Sequence, residues 1–184
     1  MTRTGLRRRL LFGVLTAFIA GVPADARQMW DLLDRLAWLP EHDPASRVTF
    51  VEKTVSPGPG LSFSYALGDG RPSRQLAAIA RAWPAVPTSG SHIVISGRAD
   101  RPVRVMVMLR GRGVPSPPVW RASVYLDGHL RQARIAVRDF ERTRPADGDQ
   151  GLRDIEAVLV GLDTQHSRPG AAGIVVLERL QVEW

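Results

Sequence analysis

The chain has 184 residues, 44% of them hydrophobic, with no cysteine and a formal net charge of +7. That is enough for one domain with a substantial core. The lack of cysteine excludes a disulfide framework, a thiol nucleophile, a thiolate metal site and a cysteine-anchored lipoprotein.

Residues 1–26 read as a signal peptide. Arg7-Arg8-Arg9 is a basic n-region, Leu10 to Val22 is an apolar run, and Ala24-Asp25-Ala26 has the small-x-small pattern of a cleavage site. The run is short for a membrane span, which needs ~20 residues. An uncleaved anchor is the alternative. Cleavage would remove four arginines (Arg3, Arg7, Arg8, Arg9) and Asp25, lowering the net charge from +7 to +4. The remaining arginines are spread along the chain, and Lys53 is the only lysine. A scattered positive charge on an exported domain argues against a nucleic-acid partner. The expected location is periplasmic or secreted.

Residues 27–46 read as a lead-in. Met29, Leu32, Leu33 and Leu36 recur at helical spacing, and Asp31 and Asp34 sit early, where a helix dipole favours them. The pattern predicts a short amphipathic helix over 28–38, ending before Pro40.

From Arg47 to Trp184 the pattern changes to period two. Strands are expected at 47–53, 61–67, 75–83, 91–97, 103–111, 120–127, 131–137, 152–163 and 173–184; 75–83 alone also fits a helix, and its β context favours the strand. Turns are expected at Pro57-Gly58-Pro59-Gly60 and from Gly68 to Pro72. A stiff proline-bearing loop covers 112–118, and a polar loop covers 143–151. Asp127-Gly128 is a strong hairpin signal, which predicts that 131–137 pairs with 120–127. Nine short strands at this spacing, without a linker or an internal repeat, predict one all-β domain, a β-sandwich or jelly roll, with a short N-terminal helix.

Two sets of residues are candidates for binding. Within 103–110, Val103, Val105, Val107 and Leu109 share the core parity, and Arg104, Met106, Met108 and Arg110 face the other way. Within 120–126, Trp120, Ala122, Val124 and Leu126 face the core, and Arg121, Ser123 and Tyr125 face away. Adjacent strands would gather Arg104, Arg110, Arg121 and Tyr125 on one face. Aromatic rings and planar donors suit sugars and carboxylates. An ordinary solvated sheet face has the same alternation. The second set is the loop after the strand ending at Asp163, with Asp163 and His166 as candidates. The alternative is a plain capped turn, with Asp163 bonding its own backbone and Gly170 and Gly173 taking positive φ. Trp120 and Trp184 read as packing residues.

Three stretches resemble the galactose-binding-like jelly-roll modules, which include many carbohydrate-binding modules and the complex I intermediate-associated family. SHIVISGRADRPVRVMVMLRG (91–111) resembles their paired strands. RQARIAVRDFERTRP (131–145) is similar to their strand and exit, with Asp139-Phe140 in the motif places. Residues 152–180 resemble their closing strand, glycine loop and final strand. The resemblance implies a jelly roll and a non-catalytic module that binds carbohydrate or another polyhydroxyl or anionic polymer. Its assembly-factor members imply the alternative, a cell-envelope factor that holds a protein partner through the same face. The final strand of these modules often carries Asp followed by Asn or Asp, which can help hold a structural calcium. Here the matching place reads Leu177-Glu178-Arg179-Leu180, too few oxygens for an ion that takes six to eight, so no metal is expected.

Enzyme motifs are missing: no G-x-S-x-G, H-E-x-x-H, P-loop or G-x-G-x-x-G occurs. The four histidines, His42, His92, His129 and His166, show no ligand spacing. No catalytic residue and no cofactor is expected.

Overall fold

The computed structural model describes residues 28–51, 60–70, 75–112, 119–143, 152 and 154–184. The signal-peptide reading of 1–26 lies outside these residues, as do most of the 112–118 and 143–151 loops. The described strands, in chain order, are β1 (Met29–Asp31), β2 (Leu39–His42), β3 (Arg47–Phe50), β4 (Leu61–Ala66), β5 (Leu76–Ala82) and β6 (His92–Ala99). They continue with β7 (Val103–Gly111), β8 (Val119–Leu126), β9 (Arg131–Ala136), β10 (Glu141–Arg142), β11 (Ile155–Asp163) and β12 (Ala172–Glu183). All nine strands expected from the alternation are present. The three additional ones, β1, β2 and β10, are too short to alternate legibly.

The strands form two antiparallel sheets. The first runs β3-β4-β12-β6-β9, with β1 continuing along β12; the second runs β10-β8-β7-β11-β5-β2. Period two puts one parity of each strand into the space between the sheets. Leu61 and Phe63 of β4, Ile93 and Ile95 of β6, and Leu180 and Val182 of β12 meet Val105, Val107 and Leu109 of β7 and Val158, Val160 and Leu162 of β11 there, all almost wholly buried. Trp120 joins this core, and Trp184 packs on it partly buried. Two bulges reset the alternation. One lies at Glu156, between Ile155 and Ala157, and the other at Glu178, between Leu177 and Arg179. Past each of them the core side chains change parity, from Ile155 to Val158 and from Leu177 to Leu180.

Two expectations are corrected. Residues 28–38 are not a helix. They form β1, a single 3-10 turn over Arg35–Ala37, and the approach to β2. Asp31 accepts from the Leu33 N–H at 2.9 Å and Asp34 from the Leu36 N–H at 3.1 Å. Such local side-chain bonds offer the backbone an alternative to helix. Pairing to β12, with Leu32 N–H on the Leu180 carbonyl at 2.8 Å, then favours an extended path. The segment becomes a strap from one sheet to the other. Leu32 and Trp38 are buried beneath it, and Met29, Trp30, Leu36 and Leu39 are left exposed. At its start Gln28 exchanges two backbone hydrogen bonds with Trp184, at 3.2 and 3.1 Å.

The second correction concerns Asp127-Gly128. The strands on either side lie in different sheets: β8 pairs with β7 and β10, and β9 pairs with β6. A two-residue type I′ turn needs positive φ at both central residues, but positive φ is found only at Gly90 and Gly170 among the described glycines. Instead Asp127 Oδ1 accepts from the His129 N–H at 2.9 Å, and Arg131 donates to both Asp127 carboxylate oxygens. That closes a wider turn that carries the chain across the sandwich.

Candidate functional site

The outward face of the second sheet collects four of the six candidate residues. Arg104 lies directly opposite Tyr125, Met106 opposite Ser123 and Met108 opposite Arg121, with Arg110 one pair further on. On the other side of β7, Met106 faces Gly161 and Met108 faces Leu159, and these in turn face Ala78 and Ala80 of β5. Met106, Met108, Ala78, Ala80, Ala157 and Leu159 are buried as a second, smaller apolar cluster. This face is therefore a floor of small and flexible side chains, not a row of aromatic rings.

Two of its arginines are engaged over that floor. Arg110 donates through Nη1 to both carboxylate oxygens of Glu41, at 2.7 and 2.9 Å, and through Nε to Glu156 at 3.2 Å. Glu41 belongs to β2, three strands away, which is about 14 Å of sheet at ~4.8 Å per strand. The pair spans it because the intervening residues are so short. Arg121 reaches the other way, bonding Gln165 and standing 3.9 Å from Asp163. Gly161 belongs to the same device. A Cβ there would lie 2.4 Å from the Ala77 carbonyl oxygen and from Ala78.

Arg104 and Tyr125 lie towards one end of the sandwich, where the chain crosses repeatedly between the sheets. The turn from β6 to β7 brings Arg101 and Pro102, and the loop from β11 to β12 brings His166 to Ala171. Between them is an open cleft of about 470 Å³. Tyr125 lines it, 49% exposed. Tyr65 lines it from the other side with its ring only 3% exposed.

The β11–β12 loop is fixed by its own polar groups. Asp163 Oδ1 accepts from the backbone N–H of Gln165 at 3.2 Å and of His166 at 3.1 Å, and from His166 Nδ1 at 2.8 Å. A carboxylate can only accept, so the ring donates through Nδ1 and keeps Nε2 for another partner. Asp163 thus does cap its turn, and it also orients a cleft residue. Gly170 has φ +72°, and its N–H bonds the Gly68 carbonyl at 2.9 Å, tying the loop to the end of β4. Gly173 has no positive φ, which corrects the expectation for it; it is needed for closeness instead. A Cβ there would lie 2.6 Å from Asp100 Oδ1 and 2.9 Å from the Tyr65 hydroxyl.

The structure thus brings Arg104, Tyr125 and His166 together in the cleft, with Asp163 behind His166. Arg121 lies next to them and Arg110 at the far end of the face. Arg101 and Arg168 also line the cleft and were not picked out from sequence. Tyr65 alternates with Leu61 and Phe63, and nothing in that pattern marks it as an end residue. Its phenol is pushed up from its ordinary value by burial and then by the nearby Asp100, with Arg101 opposing. It therefore keeps its proton at neutral pH. Among the described residues no cluster of three or more His, Asp or Glu is placed to hold a metal.

Comparison with known proteins bears on the fold. The family 11 carbohydrate-binding module of Clostridium thermocellum, solved with a β-1,3-1,4-mixed-linked tetrasaccharide, superposes with a TM-score of 0.66 over 85% of this chain and 94% of that one, at 14% identity. The fold is the jelly roll of these modules. The family 11 module of the cellulosomal cellulase Lic26A-Cel5E from the same organism gives a TM-score of 0.63 at 16% identity, over 86% and 95% of the two chains. A family 30 carbohydrate-binding module gives 0.51 at 8% identity, over 73% and 82%. No protein-family model and no curated protein matches the sequence.

Proposed function

We propose that the chain is an exported, non-catalytic module that binds glycans through the end cleft and the adjoining outward face of the second sheet. The observation that carries this reading is the pairing of Arg104 with Tyr125 at the mouth of an open cleft. It puts an exposed ring, suited to the apolar face of a sugar, next to planar donors suited to its oxygens. The jelly roll shared with carbohydrate-binding modules supports it. Export rests on the pattern of residues 1–26, and no helix among the described residues is long and apolar enough to cross a membrane. The test is affinity electrophoresis of the purified protein through gels containing a panel of neutral and acidic polysaccharides. Retardation by at least one polymer is expected, with a loss of about tenfold in affinity for Tyr125→Ala, or about 1.4 kcal/mol. Migration unaffected by every polymer would overturn the reading.

A second reading, a cell-envelope factor that holds a protein partner, is favoured by the strap, where Met29, Trp30, Leu36 and Leu39 are 61, 47, 90 and 69% exposed. Exposed apolar side chains gathered on one segment are a common mark of a contact surface. Crosslinking in cells with and without Trp30→Ser and Leu39→Ser separates the two readings.

A further inference from the structure

The cleft has an unbalanced charge. Arg101, Arg104, Arg168 and His166 line it, and the nearest carboxylates stand behind two of these, Asp100 against Arg101 and Asp163 against His166. Some arginines elsewhere on the surface are also without a carboxylate among the described residues, Arg47 and Arg179 among them, but none of these shares a cleft with other cations. Others stand against carboxylates, as in Arg98–Glu178, Arg110–Glu41, Arg131–Asp127 and Arg134–Glu183. Arg101 keeps such a partner in Asp100, at 3.4 Å. Arg104 donates only to the Ser123 hydroxyl, at 3.3 Å, and Arg168 makes no side-chain hydrogen bond or ion pair among the described residues. Two guanidinium groups thus face the cleft without a counter-charge.

A neutral donor adds to them. Tyr65 is almost wholly buried, its ring edge is at the cleft, and its hydroxyl makes no hydrogen bond among the described residues. Ser167 lines the cleft too, but its hydroxyl is closed off from solvent and out of a ligand's reach, although it has no hydrogen-bond partner among the described residues. Buried polar groups are nearly always bonded, so a group left open on a cleft is one that a ligand completes. What such a set lacks is an acceptor with negative charge. A neutral sugar would leave both guanidinium groups uncompensated, while a carboxylate or sulfate matches their fork geometry.

Resting on the glycan-binding reading, we infer that the cleft takes an acidic stretch of polysaccharide, its carboxylate or sulfate groups on Arg104 and Arg168 and a sugar ring on Tyr125. Arg121 and Arg110 stay outside this role because Asp163, Gln165 and Glu41 already hold them.

Isothermal titration calorimetry on the purified protein tests it with matched probes. Polygalacturonate is compared with its methyl ester for the carboxylate source, and dextran sulfate with dextran for the sulfate source. Mixed-linkage β-1,3-1,4-glucan serves as a neutral glycan and double-stranded DNA as a bare polyanion. The expected result is binding to polygalacturonate or dextran sulfate at least tenfold tighter than to its uncharged counterpart. It should weaken in 0.5 M salt because exposed charges are screened. Arg104→Gln and Arg168→Gln should each lose about tenfold, and Tyr125→Ala a similar amount. Arg179→Gln, on the outer face of the first sheet, should change affinity by less than twofold. Binding to the neutral glucan as tightly as to the acidic polymers would overturn the acidic preference and leave the glycan-binding reading intact. Binding to no polysaccharide would overturn both. Equal affinity for DNA, or an equal loss in Arg179→Gln, would reduce the effect to net charge and overturn the inference.

Discussion

Replacing Tyr65 by Phe separates the stability of the sandwich from the chemistry of its cleft. The change removes one oxygen and keeps the ring, which is 3% exposed and packed in the main core with Leu61 and Phe63. The hydroxyl has no hydrogen-bond partner among the described residues, so the fold loses no internal bond. The expected stability change is within about 0.5 kcal/mol, or at most ~2 °C for a domain of this size. An internally bonded hydroxyl would cost about 1–1.5 kcal/mol, a drop of ~2–6 °C. Binding should respond differently. The phenol stays protonated at neutral pH and so acts as a donor, and a hydrogen bond to a charged acceptor contributes about 1.5–3 kcal/mol. Affinity for polygalacturonate should therefore fall ~10-fold or more. Scanning calorimetry and titration calorimetry on the same preparation give both numbers. A melting point lower by 4 °C or more would show that the hydroxyl is satisfied inside the protein. Unchanged affinity would show that it does not reach the ligand. Either result refutes the reasoning.

Gly161→Val should destabilise by about 3 kcal/mol or more, because its Cβ would meet the backbone of Ala77 and Ala78 at 2.4 Å and β5 would have to move off β11; urea unfolding measures it. Asp163→Ala removes the acceptor of two backbone N–H groups and of His166, so a stability loss of about 1–2 kcal/mol is expected, together with weaker glycan binding as the loop loosens; a destabilised variant with unchanged affinity would exclude His166 from the cleft's function. Acid stability should depend on Asp127, whose hydrogen bond from Arg131 and then from the His129 N–H hold its carboxyl down to about 2. A lowered folded-state value stabilises above the unfolded value of ~3.9, and that contribution is lost as pH falls towards 2. Asp127→Asn should therefore show a shallower decline in melting temperature than the parent between pH 4 and 2. Asp43 adds in the same direction: burial alone would raise its carboxyl, but bonds from Ser46, Leu76 and Ala45 outweigh it.

The sandwich was legible because burial between two sheets imposes the alternation on the sequence. Even the bulges leave a trace, since Leu177 and Leu180 are both buried although their spacing breaks the parity. The strap was misread because Met29, Leu32 and Leu36 satisfy a helical spacing. Which of them face inward is decided by pairing with β12, a partner about 150 residues away. The Asp127-Gly128 turn was misread for a related reason: a turn signal marks a reversal but not the sheet in which the chain continues. The outward face could be read from parity, and Arg104 and Tyr125 do lie opposite each other. What no pattern contains is where along the strands the side chains become a cleft. Arg101, Arg168 and Tyr65 meet there only because several crossings between sheets fall at the same end, and Arg110 is drawn away by Glu41, a residue 69 positions earlier.

The bonds between Gln28 and Trp184 have a further consequence. They sit beyond the last residue of β12, while the cleft opens beside its first, so a strand of 12 residues, about 40 Å of extended chain, separates them. Any tether or neighbouring domain joined before Gln28 attaches at the pole remote from the cleft. A fusion or immobilisation tag placed there would leave the recognition end pointing into solution, free to meet a polymer too large to diffuse to it.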